Sequence, residues 1–182
     1  MTPARLVKAV TAEVKKAVKD YKMKAEGQED KAVSVYAQHI PDEDFNDENG
    51  TYYPLVIVSW QGTNDTDDGS EAIIGLTFGV YALDSQNEEY IEEDAVDGPG
   101  ADGRGEGAWQ DLLSIMERVR QRLLIFRLLD NNFRLILPTK FETIEAQPIP
   151  FWFGYGTLHY EVGQPAEQME SDWKKLLEEE EK

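Results

Sequence analysis

The chain predicts an α+β fold: a mixed, mainly antiparallel sheet flanked by a long central helix and an N-terminal helix, with acidic loop insertions and a C-terminal helix. Three observations lead there. Apolar residues recur at three- and four-residue spacing over the first 24 residues and again from Trp109 to about Leu129. Short β-branched and aromatic runs, LVIVSW, IIGLTFGVYAL and FWFGYGTLHYEV, lie between and after these helices. Glycine, proline and acidic clusters separate the runs at lengths that suit turns and loops.

The N-terminal helix carries Leu6, Val7, Val10, Val14, Ala17, Val18 and Tyr21 on one face, with Lys8, Lys15, Lys16, Lys19 and Lys22 opposite. Thr2 followed by Pro3 suits a capped first turn. Glu13 and Asp20 interrupt the basic face, which favours a packed helix over a membrane- or nucleic-acid-binding one. Lys31 to Ile40 alternates as a strand, through Val33, Val35 and Ala37 against Ser34, Tyr36 and Gln38. A polar loop then runs to Pro54. Leu55–Trp60 and Glu71–Leu83 read as two strands of a hairpin, with Gln61–Ser70 as its extended acidic loop. Asp84–Gly107 holds nine acids, five glycines and one arginine. Such a segment buries too little apolar surface to order itself, and mobility is expected of it and of Asp65–Glu71 in the free protein.

The central helix places Trp109, Leu112, Leu113, Met116, Val119, Leu123 and Leu124 in its apolar stripe, and Arg118, Arg120, Arg122 and Arg127 on its polar side. Those arginines suit pairing with carboxylates, within the chain or across subunits, or a solvated face. Asp130–Asn132 closes the helix and turns the chain into a strand at Phe133–Leu137. Pro138, Pro148 and Pro150 then place Phe141–Ile144 at an edge or bulge. Phe151–Val162 is the last strand. Residues 1–165 form a single domain, and 166–182 an acidic helical extension with Met169, Trp173, Leu176 and Leu177 on one face.

Composition limits function. At 182 residues the chain can bury roughly 70 % of its unfolded surface as one domain. The absence of cysteine excludes disulfides and thiol chemistry and fits a reducing compartment. The first residues lack the apolar run of a signal peptide. No stretch approaches the roughly 18 apolar residues of a membrane span, so no membrane association is expected. Net charge is −18, although residues 1–24 carry seven Lys/Arg against two acids. A body this negative repels nucleic-acid phosphates.

Catalytic and ligand-binding signatures are missing. Counting a calcium loop from Asn64 puts Gly75 where a bidentate glutamate is required, so the match fails. The glycines of GADGRGEG have the wrong spacing for a dinucleotide loop and stand among acids that repel a pyrophosphate. His39 and His159 lie on separate predicted strands with no metal partner at ligand spacing. No catalytic residue, cofactor or metal ligand is assigned, and the expectation is a non-enzyme that works through its surfaces.

LTFGVYAL, GAWQDLLSIMERVRQRLL, RLILPTKFE and QPIPFWFGYGTLHYEV together resemble the tail terminator (tail completion) proteins of tailed bacteriophages, over roughly Val33 to Gln164. The most specific parts are Trp109–Leu124 and EAQPIPFWFGYGTLHYEV; the insert 84–107 and the tail after Pro165 go beyond the family pattern. The resemblance implies a virion protein of the phage neck, assembled in the host cytoplasm. It implies a ring, six-fold in the family, that caps the tail tube, stops its elongation and joins tail to head. Its partners would be further copies of itself, the tail tube protein and a head-closure or connector protein, while DNA passes through unbound. In such a ring Arg118, Arg122, Trp152 and Tyr155 are expected at subunit contacts, and replacing both arginines should weaken assembly without changing the monomer's melting. Asn64, Asp65, Asp67, Asp68, Glu88 and Glu89 are expected in loops facing the tube or the channel. Another neck component, such as a head-closure or tube subunit, an acidic DNA mimic that regulates or inhibits, and an enzyme for a small cationic substrate are the competing readings.

Overall fold

The computed structural model describes residues 3–24, 31–40, 52–66, 69–81, 106–148 and 150–163. Two helices are present among them, α1 (Pro3–Val18) and α2 (Glu106–Ile125). Six strands, β1 (Ser34–Ala37), β2 (Leu55–Thr66), β3 (Gly69–Tyr81), β4 (Leu128–Leu129), β5 (Phe133–Thr143) and β6 (Phe151–Val162), form one sheet in the order β1-β2-β3-β6-β5-β4. β1 runs parallel to β2 and every other neighbouring pair is antiparallel, so the fold is α+β with a mixed, mainly antiparallel sheet.

The two-residue side-chain period of the strands decides where the core lies. On one face Val56 and Val58 of β2, Ala72, Ile74, Leu76, Phe78 and Val80 of β3, and Leu158 and Tyr160 of β6 are all buried. α1 covers this face with Leu6, Val7, Val10, Val14 and Val18, and α2 with Ala108, Leu112, Ile115, Met116, Val119 and Leu123. Gly154 lets α2 approach: a Cβ there would stand 2.4 Å from Met116 Sδ. On the opposite face Tyr53, Leu55 and Tyr81 form a smaller cluster, with Tyr36, Ile57, Phe151 and Phe153 packed against it. Gly79 is required there, because a Cβ would lie 2.6 Å from the Tyr53 ring.

α1, β3 and β6 fall close to where the sequence places them, β6 to the residue. β1 is shorter than Lys31–Ile40. Three expectations are corrected. Gln61–Thr66 and Gly69–Ser70 are strand rather than loop, paired in register from Gly62↔Ile73 to Thr66↔Gly69 after a bulge at Trp60–Gly62. Main-chain pairing to β3 holds these polar residues extended, and it overrides their preference for loops. α2 ends at Ile125, not near Leu129, because Leu128–Leu129 pairs with Phe133–Arg134 as β4. The turn between them has positive φ at Asp130 (53°) and Asn131 (55°), and Asn132 N–H donates to the Leu129 carbonyl at 3.0 Å. That is a type I′ turn, the hand that suits strand twist. Finally, β5 continues through Pro138 as a single strand with a register irregularity between Ile136 and Lys140, so Phe141–Thr143 does lie next to a bulge. The Thr2 cap, the insert 84–105 and the helix at 167–182 lie outside the described residues.

Candidate functional site

The helix–helix seam uses the polar groups the sequence offered for outside contacts. Arg122 Nε donates to Glu13 Oε2 at 2.8 Å, and its guanidinium lies 4.0 Å from the centroid of Phe126. Burial alone would push Glu13 upward. Hydrogen bonds from Lys16 and Arg122 outweigh it and hold the carboxyl below the usual range. Arg118 stacks over Tyr21 at 5.1 Å, Arg120 forms a two-pronged bond to Glu117 at 2.6 and 2.7 Å, and Arg127 Nε donates to the Leu124 carbonyl. All four arginines make contacts within the chain, and Arg118 and Arg127 are at the same time exposed. The expectation that replacing Arg122 leaves the monomer's melting untouched therefore gives way, since Arg122 ties α1 to α2.

Asp111 is the centre of a second tie. It is fully buried, its Oδ1 accepts from the Tyr21 hydroxyl at 2.6 Å, and its Oδ2 accepts from the Lys24 backbone N–H at 2.7 Å. This fastens the segment after α1 to α2. Burial, reinforced by the bond to Asp111, pushes the Tyr21 hydroxyl up to about 12. Burial likewise raises Tyr160, which stands inside the core.

The four predicted contact residues do not share one surface. Trp152 points to the helix-covered face and packs against the main core, whereas Tyr155, 41 % exposed, points to the opposite face. Their odd spacing on a strand sets this apart. Arg118 and Arg122 lie on α2, away from Tyr155. Asn64 and Asp65 are exposed on β2 rather than in a loop; Asp67, Asp68, Glu88 and Glu89 lie outside the described residues. His39 is exposed, and His159 Nδ1 pairs with Glu71 Oε1 across β3 and β6. Among the described residues no group of three His, Cys, Asp or Glu could hold a metal ion, and no helix is long and apolar enough to cross a membrane.

Sequence reasoning missed a groove between α2 and β5. Leu113, Met116 and Phe141 form its apolar floor, and Glu117, Arg120, Glu142 and Thr143 its rim. Leu113 is 45 % and Trp109 38 % exposed, so two residues assigned to the core stripe stand partly in solvent, Leu113 in the groove. The buried stripe runs through Ala108, Leu112, Ile115, Met116, Val119 and Leu123, so Leu112, Met116, Val119 and Leu123 lie where the sequence places them and Ala108 and Ile115 take the places given to Trp109 and Leu113. The doubled leucines and the unassigned Ile115 were the available signal.

The sheet edges are the other unclaimed feature. β1 pairs only with Leu55–Val58 of β2, and β4 only with Phe133 and Arg134 of β5. Among the described residues the rest of each edge has no neighbouring strand. Exposed Trp60 stands at the start of the open part of β2.

No protein-family model matches the chain, and no curated protein matches it. Among solved structures the chain is similar to a chain of the virion of a native gene transfer agent (GTA) particle, at 12% identity and a TM-score of 0.43, over 88% of this chain and 96% of that one.

Proposed function

We propose that the protein is a structural component of a phage-type neck, a ring that caps the tail tube, ends its growth and joins tail to head without catalytic turnover. The supporting observation is where the family-like residues sit. Trp109–Leu124 lies on α2 and 145–162 covers β6, and the two pack together through Met116 against Gly154 at the centre of the fold. The resemblance thus follows one packed helix–sheet unit rather than scattered loops.

Two further features favour work through surfaces. Most of each sheet edge is open among the described residues, which suits contact with neighbouring subunits. A net charge of −18 lets DNA pass the ring without being gripped. Tube protein and a head-closure or connector protein are the proposed partners, and the virion neck the proposed location. Negative-stain images of the purified protein, alone and with tube subunits, test this: rings with a central hole, six-fold in projection, are expected. Particles that stay monomeric on their own and at tube ends contradict it.

A further inference from the structure

We infer that copies of this chain join edge to edge, the open half of β2 in one copy adding as an antiparallel strand to the open half of β5 in the next, with Trp60 seated in the α2–β5 groove. This deepens the ring reading above and rests on it.

In the order β1-β2-β3-β6-β5-β4, register runs across the sheet from Asn64 through Glu71 and Glu161 to Arg134 at one end. At the other end it runs from Val56 through Phe78 and Gly154 to Thr143. β1 therefore shields the Val56 end of one edge, and β4 shields the Arg134 end of the other. The open stretches, from Ser59 of β2 and from Ile136 of β5, sit at diagonally opposite corners, and within them Gln61–Asp65 and Thr139–Thr143 can pair over equal lengths. Among the described residues neither has a strand beside it. Unpaired strand edges recruit other strands unless they are covered.

Direction and step then choose the partner. β2 and β5 run antiparallel within the sheet, so two copies in the same orientation bring them together as an antiparallel pair. The two shielding strands form opposing steps, so the edges meet only when the second copy slides along the strand direction. A repeated slide of this kind closes into a ring when the strands tilt to the ring axis, as in a barrel with shear.

Side chains agree with this arrangement. Trp60 pairs with Ile74 in register and so lies on the helix-covered face, yet it is 41 % exposed. Phe141 lies on that same face of β5, its ring tilted against Phe78 at 6.1 Å, with Leu113 and Met116 beside it. The pairing brings an unpacked indole on one copy to an apolar groove on the next, so the contact is heterologous. Asn64 and Asp65 then lie at the subunit boundary rather than in the channel.

The chain has no cysteine, which makes the pairing testable by cross-linking. A short bismaleimide applied to the double variant T63C/T143C should give a ladder of covalent multimers ending at the ring, because the two positions share a face and are diagonal neighbours about 7–8 Å apart in this pairing. T63C alone and T143C alone should give none, because each residue faces a different partner. W60A should weaken association about tenfold or more, as truncation of a buried interface tryptophan does. Circular dichroism of each variant confirms that it folds. Equal cross-linking by the single variants, no cross-linking by the double variant, or unchanged association of W60A overturns the inference. Imaged rings that do not cross-link would overturn the edge pairing alone and leave the capping role standing.

Discussion

At the residue scale, the turn at Asp130–Asn131 shows a single position fixing the shape of an element. Both residues occupy the left-handed region, which costs an ordinary side chain about 1–2 kcal/mol. Asp130 also pairs with Arg5 of α1, so it carries two duties, while Asn131 carries only the conformational one. N131G should therefore hold or raise stability, and N131A should lower it by about 1 kcal/mol, read from urea unfolding midpoints. Equal stability of the two variants would show that the turn relaxes into another form. This turn was half legible in the sequence. DNN marked a change of direction, but only pairing of Leu128–Leu129 with β5, a contact across the turn, makes it a hairpin and ends α2 early.

At the element scale, α1 and α2 are held by the buried apolar stripes and by the Glu13–Arg122 tie. The tie is partly buried, with side-chain exposures of 13% and 30%, and should contribute roughly 1 kcal/mol in a double-mutant cycle of E13Q and R122A. Its pH dependence follows from the depressed Glu13 carboxyl. A folded value below the unfolded one gives stability that is present above the usual carboxylate range and is lost as pH falls through the folded value. Thermal melts from pH 7 down to pH 3 should show wild type losing part of its lead over E13Q. A constant gap across that range would contradict the tie. The helices themselves were readable from periodicity, as was β6, whose aromatic and small residues alternate from Phe151 to Val162. The far half of β2 was not. QGTNDT has no apolar alternation, and its extended shape comes from hydrogen bonding to β3, a non-local cause that propensity does not contain.

The same difference decides how much of the candidate site could be read. Arg118 and Arg122 stood out as cations on an acidic chain, yet the groups that engage them, Tyr21 and Glu13, lie on a segment about a hundred residues away. Their use inside the chain appears only once α1 is laid beside α2. Trp60 looked like the end of a strand and proves to be an exposed indole at an open edge. The groove needs α2 and β5 together and has no signature in either alone.

At the scale of the whole molecule, a sheet with one helix-covered face and two half-shielded edges is built for repetition. In the proposed ring each copy offers an open strand and a receiving edge at opposite corners, and a net charge of −18 would leave DNA unheld. In the proposed role the assembled protein sets where a tail ends. Measuring tail lengths by electron microscopy after deleting the gene from its source genome tests that most directly. Tails of widely scattered length and heads that fail to join them are expected; tails of normal, uniform length attached to heads would rule out a capping role.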